Sequence, residues 1–213
     1  MTTKPGPQLH IGALTPTTEA EGPGQRFAVW AQGCTIRCSG CFNPHLWGTS
    51  GGMEIDPQEL AGQAIAQDVE GVTLLGGEPF DQAEAFAVFA SAVRTAGLSV
   101  MTFTGHYLDA LTGIQAPPGA AALLAQTDLL VDGPYMADDP DHARPWVGSR
   151  NQGFHLLTDR YAHLTAELST LSDRLEIRVS AGGDIRINGW ADVAVLDELL
   201  DGMTPTIGRG HIR

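Results

Sequence analysis

The sequence predicts an α/β protein, and three observations carry that expectation. Short apolar runs suited to buried strands recur along the chain, alanine-rich stretches with helical spacing separate them, and glycines close the boundaries between the two. Strands alternating with helices in this way build βα units on a parallel sheet.

Residues 1–26 are rich in Gly, Pro and Thr and read as an irregular lead-in. Phe27 to Ala31 is the first buried strand, ending at Gln32-Gly33. Asp56-Pro57 supplies an N-cap with proline in the first helical position, opening a helix to about Gln67. Gly71 to Leu75 is a second strand, stopped by Gly76-Gly77. Ala83 to Ala96 places Phe86, Phe89 and Val93 on one helical face before Gly97. Leu98 to Thr104 is a third strand, Leu108–Leu111 and Ala120–Gln126 are helical, and Asp128 to Val131 is a fourth strand. From Asp132 to Leu157 the rhythm breaks into a long loop, of the kind that is functional in compact domains. Period-two alternation then returns in a hairpin over 174–188 around Gly182-Gly183, and a closing helix follows over 193–200. No internal repeat is evident, and residues 1–213 are expected to form a single domain.

The formal net charge of −13 argues against sequence-independent nucleic-acid binding, which depends on neutralising phosphates. Nothing approaches a run of ~18 apolar residues, so no membrane helix is expected. Met1 to Gln8 lacks the apolar stretch of a secretory signal, and a cytoplasmic location follows.

All three cysteines lie between Cys34 and Cys41, in the pattern C-x3-C-x2-C. Thiolates this close can grip one inorganic unit from a single loop. A closed site usually needs four ligands, and a set that is one short leaves a coordination position open for chemistry. A disulfide plus a free thiol fits poorly with such tight spacing in an acidic chain. A zinc site completed by a histidine such as His10 or His45 competes with a [4Fe–4S] cluster that has one exposed iron.

Several segments point together. Glu21-Gly-Pro-Gly-Gln-Arg26 leads into the first strand, and Gln32-Gly-Cys34-Thr-Ile-Arg-Cys38-Ser-Gly-Cys41-Phe42-Asn-Pro44 follows it, with Trp47 beyond. Gly76-Gly77-Glu78-Pro79-Phe80 ends the second strand and Thr104-Gly105 the third. Leu130-Val-Asp132-Gly-Pro-Tyr135 and Trp146-Val-Gly-Ser-Arg-Asn151-Gln152 complete the series. In order and spacing, about residues 20–157 resemble the radical S-adenosylmethionine (SAM) activases of glycyl radical enzymes. The branch acting on anaerobic ribonucleoside-triphosphate reductase is the nearest, and the pyruvate formate-lyase branch is looser. Gly40, before the third cysteine, is shared with the ribonucleotide-reductase branch, where many other radical SAM proteins carry an aromatic residue.

The resemblance implies an open, partial (β/α) barrel of the radical SAM type, with the hairpin and helix of residues 158–213 as a C-terminal extension. It implies that Cys34, Cys38 and Cys41 hold a [4Fe–4S] cluster whose fourth iron is chelated by SAM. One electron would then cleave SAM to methionine and a 5′-deoxyadenosyl radical that abstracts hydrogen from a glycine of a partner enzyme. Gly76, Gly77, Glu78 and Pro79 correspond to the family's site for the SAM amino group. Thr104 and Asp132, at the ends of their strands, correspond to ribose or methionine contacts, and a capped loop is the alternative for each. Phe42 would pack on the adenine or the cluster, or belong to the core. A one-electron donor such as flavodoxin or ferredoxin is implied as a second partner. Trp146, Arg150, Asn151 and Gln152 would order the loop over the site, touch a partner, or serve that loop's own polar contacts. A tailoring enzyme acting on a peptide or small molecule, and a non-catalytic iron–sulfur or zinc protein, are the competing functions.

Overall fold

The structure, a computed structural model, describes residues 6–189 with the exception of 169, 181 and 184. The chain opens with β1 (Leu9–Thr18), antiparallel to β2 (Arg26–Ala31) and to β3 (Met53–Ile55). Helix α1 (Pro57–Ile65) leads to β4 (Gly71–Gly76), α2 (Ala83–Thr95) to β5 (Ser99–Phe103), and α3 (Leu108–Thr112) with α4 (Ala120–Leu124) to β6 (Leu129–Asp132). Strands β2, β4, β5 and β6 pair in parallel. An antiparallel strand, β7 (Gly153–Leu156), closes the far edge, so the order is β3-β1-β2-β4-β5-β6-β7. This is the expected α/β fold of the open (β/α)-barrel type.

Local chemistry explains where these elements begin. Asp56 Oδ1 accepts the amides of Gln58 at 2.8 Å and Glu59 at 3.2 Å, and Pro57 occupies the first helical position, so α1 starts where its orphan donors are satisfied. On β2, β4 and β5, alternate residues (Phe27, Val29, Ala31, Val72, Leu74, Val100) join Phe86, Phe89 and Val93 of α2 in one core under the helices. The opposite face carries Met101, Leu129 and Val131, covered by Val147, Tyr161 and Leu164.

Two expectations are corrected. Residues 1–26 are not an irregular lead-in throughout, because β1 occupies Leu9–Thr18. Its turn-forming composition hides a strand whose register shifts between Ile11 and Ala13 and again between Thr15 and Thr18, where Pro16 needs no ladder partner. The loop from Asp132 ends earlier than expected, because β7 pairs with β6 from Gly153 onward. All four residues of β7 are half-buried, so the strand shows no in–out alternation to read.

Beyond β7, a short helix α5 (Leu164–Glu167) precedes the hairpin of β8 (Leu175–Val179) and β9 (Ile185–Gly189). The helix expected over 193–200 lies outside the described residues. The hairpin docks where β2 begins. Asn188 Nδ2 donates to Thr18 Oγ1 at 2.8 Å, Gly189 N to Glu21 Oε1 at 2.8 Å, and Arg178 to the Thr17 carbonyl. The cysteine loop follows the other end of β2, about one strand length (~20 Å) away.

Candidate iron–sulfur and cofactor site

The cysteine loop leaves β2 through Gly33, whose φ of 98° is a left-handed conformation that favours glycine. Gly33 N donates to Leu46 O at 2.8 Å and Cys34 N to Trp47 O at 3.2 Å, which pins both feet of the loop together. Within it the backbone turns left-handed at Arg37 (φ 54°) and Gly40 (φ 76°). A side chain at Gly40 would sit 2.8 Å from Ala137 Cβ, so glycine lets this loop lie on the segment after β6. All three thiols are free and half-buried.

Backbone amides are aimed at the sulfurs. Those of Arg37 and Ile36 bond to Cys34, that of Tyr135 to Cys38, and Asn43 N donates to Cys41 Sγ at 3.4 Å. Burial is the larger influence and pushes the Cys34 and Cys38 thiols up, while these amides pull them back. N–H groups directed at sulfur stabilise thiolates and tune iron–sulfur clusters, so the donor set fits such a group. Among the described residues no group of three or more His, Cys, Asp and Glu side chains converges on one point, the three cysteines included. His10 lies 3.7 Å from Glu54, on β3.

Gly76 and Gly77 serve close approach, but to the chain itself. A Cβ on Gly76 would lie 2.5 Å from Trp30 Cα, and one on Gly77 would lie 2.1 Å from Gly33 O. The end of β4 is thereby bonded to the root of the cysteine loop, through Gly77 N to Ala31 O at 2.8 Å and Glu78 N to Gly33 O at 2.9 Å. Pro79 is buried at the start of a 3-10 turn, Pro79–Gln82, that Glu78 caps.

Glu78 is itself buried. Its Oε1 accepts the Phe80 amide at 2.9 Å and the Thr104 hydroxyl at 2.9 Å, and its Oε2 accepts the Gly105 amide at 2.8 Å. Burial pushes its carboxyl up to about 7, against the pull of those three donors. The carboxylate thus ties the end of β4 to the end of β5. Thr104 Oγ1 also accepts from His106 N at 3.1 Å, so this hydroxyl is engaged on both sides. Asp132, buried at the end of β6, accepts Leu108 N at 2.7 Å on Oδ2, at the start of α3, and its Oδ1 lies 3.0 Å from His155 Nε2. Phe42 is 53% exposed and packs against Tyr135 with ring centroids 5.1 Å apart, beside the cysteines rather than in the core.

The long loop after β6 is held by its own polar contacts. Asn151 Nδ2 donates to Pro134 O at 2.7 Å and Gln152 Nε2 to Gly133 O at 3.2 Å, while Gln152 Oε1 accepts the Gly148 and Ser149 amides. Arg144, which carried no signal in the sequence, organises the rest. It pairs with the buried Asp141 at 2.6 Å and donates to the carbonyls of Ser149, Arg150 and Gln152. Asp139 lies 3.4 Å from Arg150. The acidic run at 138–141 is therefore largely neutralised within the loop. Asp81 and His155 were also missed, since a lone Asp or His in a turn or strand has no recognisable spacing. A hollow of about 490 Å³ opens beside Cys34, lined in part by His10, Gln32, Arg37, Trp47, Asp81 and Gln82.

Comparison with known proteins covers the stretch of chain that carries the cysteine loop. Residues 20–155 match the family described as "4Fe-4S single cluster domain". The anaerobic ribonucleoside-triphosphate reductase-activating protein of Haemophilus influenzae is 31% identical over 151 residues, covering 66% of this chain and 93% of that protein. Its Vibrio cholerae counterpart is 32% identical over 153 residues, covering 67% and 95%. The pyruvate formate-lyase-activating enzyme of Listeria monocytogenes is 38% identical over 84 residues, covering 37% of this chain and 34% of that enzyme. Among solved structures, QueE from Escherichia coli is similar with a TM-score of 0.44 and 14% identity, covering 62% of this chain and 73% of that one. Among the described residues no helix is long and apolar enough to cross a membrane. The chain belongs to the radical SAM, 4Fe–4S single-cluster activase family and is a radical SAM oxidoreductase.

Proposed function

We propose that this protein activates a glycyl radical enzyme, an anaerobic ribonucleoside-triphosphate reductase being the partner its relatives favour. One observation carries the reading: three free thiols with backbone amides aimed at their sulfurs sit on a loop whose root is bonded to Gly77 and Glu78. Cys34, Cys38 and Cys41 would hold a [4Fe–4S] cluster, leaving one iron for the amino and carboxylate groups of SAM. Bound there, the cluster would pass one electron from an external donor to SAM, whose reductive cleavage would supply methionine and a hydrogen-abstracting 5′-deoxyadenosyl radical.

The chain's own residues orient and shield. Gly76 and Gly77 bring the end of β4 against the root of the cysteine loop, where their backbone would be available to a ligand of the cluster. Glu78, fixed by the Phe80 and Gly105 amides and the Thr104 hydroxyl, holds the ends of β4 and β5 in register beside the root of the cysteine loop. Asp132, buried at the end of β6, holds the start of α3 through Leu108 N and lies beside His155, so a ribose hydroxyl would have to share its carboxylate with them, and Phe42 lies exposed next to Cys41. The partner's glycine-bearing segment would enter over these strand ends, and a flavodoxin- or ferredoxin-type protein would deliver the electron.

Anaerobic reconstitution with iron and sulfide, reduction, and addition of SAM should yield cluster-dependent 5′-deoxyadenosine. Addition of the partner enzyme should then give a glycyl radical signal. Zinc uptake in place of iron sinks the proposed chemistry. A cluster that cleaves SAM but never generates a radical on any glycyl radical enzyme directs the chemistry to a different substrate. The hairpin of the extension contacts Thr17, Thr18 and Glu21, at the opposite end of β2 from the cysteine loop.

A further inference from the structure

Three side chains of one short segment reach in three directions. Glu78 grips the end of β5 through Thr104 and Gly105. Gln82 grips β1 and the exit of β2: its Nε2 donates to His10 O and Gln32 O, each at 2.9 Å, and its Oε1 accepts His10 N at 2.7 Å. Asp81, between them, reaches the cysteine loop. Its Oδ2 accepts the Thr35 amide at 2.8 Å and its Oδ1 accepts the Thr35 hydroxyl at 2.8 Å.

Thr35 follows Cys34 directly, in the stretch that must turn left-handed at Arg37 before it reaches Cys38. A non-glycine residue in that conformation costs of order 1 kcal/mol and persists only where surrounding contacts impose it. A carboxylate that takes both donors of one residue fixes its backbone and its side chain together. It also sets a negative charge next to a proposed cluster ligand, and charge near an iron–sulfur cluster is one of the determinants of its potential. We propose that Asp81 is a positioning residue that latches the cysteine loop through Thr35, and that its charge keeps the cluster harder to reduce. The charge effect rests on the cluster assignment made above, whereas the latch does not.

Asp81→Asn and Asp81→Ala separate the two effects. Asparagine can accept from the Thr35 amide and donate to its hydroxyl, so it keeps the latch and removes the charge, while alanine removes both. Hydrogen–deuterium exchange of the loop is measured first on the full chain, reduced and metal-free. The Thr35 amide should exchange on the order of fivefold to tenfold faster in Asp81→Ala, as expected for one lost hydrogen bond, and within about twofold of wild type in Asp81→Asn. Thr35→Val, which keeps the amide bond, should fall between. Equal exchange in Asp81→Ala and wild type, with both chains showing the same circular dichroism, overturns the latch. After reconstitution, the Asp81→Asn cluster should have a less negative midpoint potential than wild type, because the added electron meets less negative charge. An unchanged or more negative potential overturns the charge effect. Failure of wild type to take up a cluster overturns the proposed function and the charge effect with it, and the exchange experiment still decides the latch.

Discussion

Where the parallel strands begin, Arg26 is fully buried, whereas where they end the three thiols of the cysteine loop are half-buried. The guanidinium at the first end donates to Thr73 Oγ1 at 3.1 Å, Ser99 Oγ at 2.6 Å, Tyr161 Oη at 2.8 Å and Val72 O at 2.5 Å. Among the described residues no carboxylate pairs with it directly. Burial holds its pKa below the usual arginine value, and Tyr161 is the main opposing influence. At the other end the elements are joined by the side chains of Glu78, Asp81 and Gln82, each with two or three hydrogen bonds. A buried cation is tolerated where hydrogen bonds replace its hydration, and the four acceptors held around Arg26 make the base the more rigid end. The upper end, built from separate bonds each contributing about 1 kcal/mol, could adjust to the cluster, SAM and partner segment proposed for it. The relatives cover about two thirds of this chain. Among the described residues beyond 158, Tyr161 adds to the base against Arg26 and the hairpin adds to it on Thr18 and Glu21.

The strongest way to break this contrast is at the cysteine end. Cys38→Ala should abolish both cluster retention and SAM cleavage while leaving urea unfolding of the metal-free chain almost unchanged. Iron and sulfide content, 5′-deoxyadenosine yield and the unfolding midpoint check it. Full activity in that variant would remove the cluster assignment.

Arg26→Ala should do the reverse at the base. It leaves a cavity and four acceptors without their donor, at a cost of about 3–5 kcal/mol of stability, read from the denaturant midpoint at constant slope. The metal-free cysteine loop should keep its hydrogen-exchange pattern under conditions where the variant is folded. A cost below about 1 kcal/mol would mean that the base is not the rigid element.

How much of this was legible in the sequence follows the same division. Strands β2 and β4 to β6, helix α2 and the hairpin are periodic and contiguous, and the cysteines with Gly-Gly-Glu-Pro form a local pattern, so both were readable. What escaped depends on distant partners. Strand β1 exists because β2 and β3 flank it, and Arg144 and Asp81 matter because of the carbonyls and the threonine they meet across the fold. Glu78 was legible as a candidate for the site, but its partners were not. An acid after a glycine pair reads as a ligand for an ammonium group, whereas its oxygens here accept from Phe80, Thr104 and Gly105.

That engaged carboxyl gives a pH test at the cysteine end. With its folded value raised to about 7 from an ordinary 4.5, Glu78 favours the folded chain most when protonated. Its contribution is complete below about pH 4.5 and is lost as pH rises through 7, a change on the order of 3 kcal/mol in the limit. Unfolding free energies of wild type and Glu78→Gln, measured in steps from pH 4.5 to 8, should show a falling limb in wild type that is flattened in the variant. Parallel curves would mean that Glu78 is not protonated on folding.

The smallest expected effect is the one that locates the extension. Asn188→Ala removes the bond from its Nδ2 to Thr18 Oγ1, an exchange worth about 0.5–1.5 kcal/mol. Because this contact lies at the start of β2, the loss should appear in stability alone, with the rate of 5′-deoxyadenosine formation per cluster unchanged. A rate that falls while the cluster content holds would couple the hairpin to the cysteine end through β2. The two ends would then act as one mechanical unit, and the separation of a rigid base from an adjustable site would be lost.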